Sequence, residues 1–195
     1  MMPRSARAAI LAVSLAFVTS ACASLSGEDE RVVKTMQGKT IYSKVGIHGE
    51  PKGGTVVMYS TNYYSLPVFW PAGTKFRLEE ANSRRFILKS LSDSQTLTIN
   101  YVEKHSLMSV GDYLKMMFST QQVGRPSGMS DSDWSLVQKG RFAKGMSRDA
   151  FILAMGFPPK TLTPNANAER LVYQARRFNN TIFNFKGGKL AEIQE

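Results

Sequence analysis

Gly145-Met-Ser-Arg-Asp-Ala-Phe-Ile-Leu-Ala-Met-Gly-Phe-Pro-Pro159 carries its own start and stop signals. Ser147 can cap a helix whose first turn holds Asp149, a charge that suits the positive end of the helix dipole. Phe151, Ala154 and Met155 then fall on one side. Gly156 offers a left-handed exit, and Pro158-Pro159 forbids continuation. Upstream, Gly128-Met-Ser130 repeats the same opening with Asp133 in place, which predicts a helix over about 131–139 presenting Trp134 and Val137 or Gln138 and ended by Gly140. Downstream, apolar alternation over 169–178, 181–185 and 190–193 is broken by Asn179-Asn180 and by Lys186-Gly-Gly-Lys189. Two tight turns between three such runs predict an antiparallel meander. Two helices on one face of that sheet form a small α+β sandwich.

Working backwards, 121–128, with Gly124, Pro126 and Gly128, reads as a boundary between two halves. Before it, Ser109-Val-Gly-Asp112 is a second capping signal, followed by Val110, Tyr113, Leu114, Met117 and Phe118 at helical spacing, a packed face. From 40 to 102 the period is mostly two, so strands are predicted at 55–61, 66–70, 75–79, 86–91 and 96–102. In the last of these Leu97, Ile99 and Tyr101 share one face. Pro71-Ala-Gly-Thr74 is a turn between two strands. The expected fold class is α+β: a small antiparallel β module, loosely resembling SH3-like barrels, over 40–120, then the two-helix, three-stranded antiparallel sandwich over 129–195.

The amino end sets the address. Arg4 and Arg7 precede an apolar run over 8–18 that is too short to cross a hydrocarbon core of about 30 Å. Thr19-Ser20-Ala21-Cys22 follows, and Cys22 is the only cysteine. This resembles the lipobox of bacterial lipoproteins, which implies a signal peptide over 1–21, removal before Cys22 and lipidation of its sulfur. The acidic, small-residue segment that follows reads as part of a tether over 22–39. Ala23 in place of Asp after the modified cysteine implies the outer membrane, periplasmic face. The net charge of +10, which falls to +8 once Arg4 and Arg7 leave, suits an anionic bilayer, and an exported chain is not expected to meet nucleic acid.

The order Gly145-Met-Ser147, helix, Gly156-Phe-Pro158, a strand with Val172-Tyr173, and Phe183-Asn-Phe-Lys-Gly-Gly-Lys189-Leu-Ala-Glu-Ile193 resembles the BamE (SmpA/OmlA) lipoprotein domain. The resemblance implies an outer-membrane lipoprotein that supports assembly of β-barrel proteins by binding. Gly145, Gly156 and Pro158 match scaffold positions of that family. Its partner-binding and lipid-binding positions have no match in the loop 160–168, so none is carried over.

Chemistry is not signalled. His48 and His105 are the only histidines, neither at metal-ligand spacing, and His105 reads as an exposed strand-end residue. Glu79-Glu80 points to opposite faces of a strand. No catalytic residue, metal, cofactor or small-molecule substrate is inferred. A partner surface is expected at Tyr63, Tyr64, Arg176 and Arg177, since Tyr and Arg are enriched where proteins meet. Alanine at Tyr63, Tyr64 and Arg177 is expected to weaken partner recovery without changing stability. The expected function is a membrane-anchored, non-catalytic binding or scaffold role in outer-membrane protein assembly or envelope integrity, with another envelope protein as partner. The alternative is an inhibitor-like or cell-wall-binding module; a hydrolase is the third.

Overall fold

The computed structural model describes residues 25–195. Cys22 and the expected signal peptide over 1–21 lie outside the described residues. The first element is helix α1 (Gly27–Met36), capped by Ser26, whose hydroxyl accepts from Asp29 N. The segment expected to be tether is therefore folded from Gly27 onward. The acidic trio Glu28–Asp29–Glu30 sits in the first helical turn, where the helix dipole favours negative charge.

Strands β1 (Thr40–Ser43), β2 (Ile47–Lys52), β3 (Thr55–Tyr59), β4 (Val68–Trp70), β5 (Lys75–Ala81), β6 (Arg85–Ser90) and β7 (Thr96–Asn100) follow, then the one-turn α2 (Glu103–Ser106), α3 (Val110–Met117) and the short β8 (Phe118–Ser119). They form one eight-stranded sheet in the order β4-β2-β3-β7-β6-β5-β1-β8. The sheet curls on itself for a topological reason. β2 pairs with β4 near one end of the sheet while β1 pairs with β5 near the other, and β1–β2 and β4–β5 are each consecutive in the chain, so two short connections draw the ends together. The connection 71–74 is tied to β1 by Ser43 N donating to Thr74 O at 3.0 Å and Gly73 N donating to Ser43 O at 2.7 Å. Inside the curl lie Ile41, Ile47, Met58, Phe76, Leu78, Phe86, Leu88, Leu97 and Ile99, and α1 and α3 close it. Asp29 fastens these two helices by accepting from Gly111 N at 2.7 Å.

The remaining elements are α4 (Asp131–Gln138), α5 (Arg148–Met155) and strands β9 (Arg170–Arg176), β10 (Asn179–Lys186) and β11 (Lys189–Gln194), the last three in a second sheet ordered β11-β10-β9. Ser130 and Ser147 cap their helices, and Asp133 Oδ2 links them by accepting from Ser147 Oγ at 2.7 Å. Phe151, Tyr173 and Phe183 form the centre of a second core.

The expected fold class is overturned. The first half is not a small antiparallel module of SH3-like type: it is an eight-stranded mixed sheet, with β3 and β7 parallel from Val56↔Leu97 to Tyr59↔Asn100. Nor does the chain resolve into the two-helix, three-stranded BamE arrangement, since the described residues form five helices and two sheets joined by a continuous seam. The seam exists because a helix ends with unpaired carbonyls that must be satisfied. At the end of α5, Leu153 O accepts from Gly46 N at 2.7 Å, Ala154 O from His48 Nε2 at 3.1 Å, and Met155 O from Asn62 Nδ2 at 2.9 Å. Three donors from the curled sheet and its loops thus cap a helix of the second core.

Candidate functional site

The loop between β3 and β4 crosses the seam, and two hollows lie along it. Tyr63 makes an isolated parallel bridge to Gln174, Tyr64 N donates to Gln174 O at 3.2 Å, and Ser65 Oγ donates to Ala175 O at 2.6 Å. The loop therefore runs beside β9 and brings Tyr63 to the carboxyl end of that strand, where Arg176 and Arg177 lie. Tyr63, Arg176, Arg177 and Phe178 line an open groove of about 820 Å³. Its other wall includes Tyr59, Val102 and His105, and the Tyr59 ring packs tilted against Tyr63 with centroids 5.4 Å apart.

Phe178 decides the character of this groove. It is 85% exposed, with φ of +64°, at the turn between β9 and β10. A bulky side chain in the left-handed region is an outlier that local energetics disfavour. Asn179 and Asn180, which tolerate that region better and were expected to form the turn, instead belong to β10, and Arg176 pairs with Asn179. The turn is thus Arg177-Phe178, and the aromatic ring is displayed to solvent. The Arg177 guanidinium carbon sits 4.9 Å from the ring centroid, in cation–π range. Neither Arg176 nor Arg177 has a carboxylate partner among the described residues.

Of the expected surface residues, Tyr63, Arg176 and Arg177 come together in this groove. Tyr64 does not. Its ring packs edge-on against Phe142, Tyr173 and Phe183, at 6.1, 6.2 and 5.7 Å, and its hydroxyl donates to Thr181 Oγ1 at 3.0 Å. Tyr63 thus faces the groove, and Tyr64, in the turn that follows it, the second core. Burial pushes the Tyr64 phenol up from its ordinary range. The expectation that Tyr64 can be truncated without loss of stability is therefore withdrawn. Trp70 is buried, with Nε1 donating to Asp93 Oδ2 at 2.8 Å.

Gly145 and Gly156 both have positive φ, of +85° and +79°. Gly145 stands in open space, whereas a Cβ on Gly156 would come within 2.7 Å of Asn62 Nδ2. Pro158 lines a second, smaller hollow on the other side of the loop, walled by β3, α3 and the segment after α5. His105 is exposed but lies on α2, not at a strand end. His48 is buried against α5, and desolvation pushes its imidazole below the usual range despite hydrogen bonds to Ala154 and Leu66 backbone. No group of three or more His, Cys, Asp or Glu able to hold a metal occurs among the described residues, and none of their helices is long and apolar enough to cross a membrane.

Sequence reasoning missed Tyr59, Asn62 and Tyr113 as lining residues. Only Asn62 carried a signal, since asparagine takes a left-handed loop position readily, here at φ of +52°. No family model, curated protein or solved structure matches this chain.

Proposed function

We propose that this chain is a lipid-anchored, periplasm-facing binding protein of a bacterial envelope, and that it engages an acidic segment of another envelope protein through the groove at Tyr63, Arg176, Arg177 and Phe178. The observation that carries the reading is Phe178, an exposed ring held in a disfavoured turn conformation beside Arg177, in a groove also lined by Tyr63 and Arg176, with neither arginine bound to a carboxylate among the described residues. Strained residues persist where the surrounding structure over-determines them, and they cluster at binding sites. Two arginines without a carboxylate suit an acidic partner, and the aromatic rings supply contact area at small entropic cost. The address rests on the lipobox resemblance at 19–22, and acylation at Cys22 would hold the groove near a leaflet. The role is non-catalytic and serves envelope assembly or integrity.

Copurification from membranes in mild detergent tests this. Tyr63→Ala, Arg177→Ala and Phe178→Ala are each expected to reduce recovery of the partner severalfold, with stability within about 0.5 kcal/mol of the parent, as for surface changes. Tyr64→Ala serves as the contrast, with an expected loss of about 3 kcal/mol from the second core. Undiminished recovery from all three groove variants removes the groove from the reading. An unacylated amino end, read by mass spectrometry of the exported product, removes the anchor. Recovery of cell-wall fragments in place of a protein favours the cell-wall-binding alternative.

A further inference from the structure

The smaller hollow has a different chemistry from the groove. Met58 on β3, Met116 and Met117 on α3, Met108 before α3, and Phe157 and Pro164 after α5 supply an apolar wall around a volume of about 60 Å³, counted as room for the centre of a water-sized sphere. One water needs about 10–15 Å³ on that measure, so the space exceeds a single water several times over. Methionine is unbranched and adaptable, which suits a wall that must close on a slender guest.

Two buried polar atoms in this lining have no partner among the described residues: Tyr113 Oη and Asn62 Oδ1. Their residues are 2% and 4% exposed. The Asn62 orientation is fixed, because Nδ2 donates to Met155 O at 2.9 Å and to Phe157 O at 2.8 Å, which leaves Oδ1 as the acceptor. The hydroxyls of Ser106 and Thr163 are engaged with the backbone of Val102 and Val172. Leaving a buried polar atom unpaired is costly, and native proteins rarely do so without an occupant. A single water could meet both atoms but would fill only part of the space, and further waters would face a mostly apolar wall.

We infer that this hollow is a binding site for an unbranched aliphatic chain bearing a hydroxyl or a secondary amide. Either group brings a donor for Asn62 Oδ1 and an acceptor for the Tyr113 hydroxyl, while the methylenes lie against the methionines. A plain hydrocarbon leaves both atoms unpaired, and an ester lacks the donor. The site is separate from the groove and stands whether or not the chain carries a lipid anchor.

The test titrates the whole described chain, labelled with ¹³C at the methionine methyls, with 1-octanol and separately with methyl hexanoate. Saturable shifts of Met58, Met108, Met116 and Met117 by 1-octanol are expected, with Met146 and Met155 in the second core unmoved. Methyl hexanoate is expected to bind several-fold more weakly. Tyr113→Phe is expected to weaken 1-octanol by about three- to tenfold, the worth of one hydrogen bond, and to weaken the ester similarly, since its carbonyl also accepts from that hydroxyl. Ala166→Trp, which fills the mouth from the loop, is expected to abolish the shifts. The inference is overturned if neither probe moves the four methyls saturably, if all methionines shift alike, or if Tyr113→Phe and the parent bind 1-octanol equally.

Discussion

His48 Nε2 donates to Ala154 O from inside the seam, and the burial of its ring there gives the molecule a pH dependence. Burial favours the neutral imidazole, so the folded pKa lies below the unfolded value of about 6.5. A base depressed in this way contributes stability that is fully present above the unfolded pKa and is lost as pH falls towards the folded one. Stability is therefore expected to be flat above about pH 7 and to decline below about 6.5, by at most ~1.4 kcal/mol per pH unit. Melting temperatures of the parent and His48→Gln between pH 8 and 5.5 check this. The glutamine can still donate to Ala154 O but cannot take up the proton, so its profile is expected to be shallower. A parallel slope in both proteins would assign the decline to other groups. The same scale separates Tyr63 from Tyr64, which composition alone treats as equals. Which of two adjacent tyrosines faces outward depends on the direction in which the loop passes β9, and nothing local encodes that.

Element by element, the signals that proved legible are those with a backbone reason. Ser109, Ser130 and Ser147 cap the helices they were expected to cap, and α5 keeps the bounds that its glycine and proline imply. The Lys186–Lys189 turn forms as its paired glycines predict. The turn at Arg177-Phe178 was misplaced because local preference favours asparagine there, and the register of β9 against β10 overrides it. Gly156 illustrates a position where the local and the long-range requirement coincide. Gly156→Ala is expected to cost about 2–4 kcal/mol in urea unfolding, combining a disfavoured φ with displacement of Asn62. Gly128→Ala provides the comparison, with the same φ of +79° and nothing within 4 Å of the added carbon. The difference between the two, expected to exceed about 1 kcal/mol, isolates the seam contact; equal costs would leave only backbone strain.

At the scale of the molecule, the parallel β3–β7 pair and the closing of the sheet through 71–74 were not legible, because partners far apart in sequence leave no periodic trace. Strand alternation identified the pieces of the curled sheet; it could not say which edges meet. The tether was misread for a related reason: α1 is held by Asp29 and by packing against α3, and its own composition is polar. Because α5 is capped by donors from the other core, the two halves are expected to unfold together. Trp70 lies in the first core and Trp134 packs against the second, so Trp70→Phe and Trp134→Phe each leave one reporter. Coincident fluorescence transitions are expected, and separated midpoints would show that the seam does not couple them.

The parallel pair also orders events in time. Synthesis delivers β3 long before β7, and until the later strand arrives the earlier one presents an open row of amides and carbonyls to any neighbour. A nascent chain of this sequence passes through a stage in which self-association competes with closure, and a holdase guarding that edge would be needed most between the emergence of Tyr59 and that of Asn100.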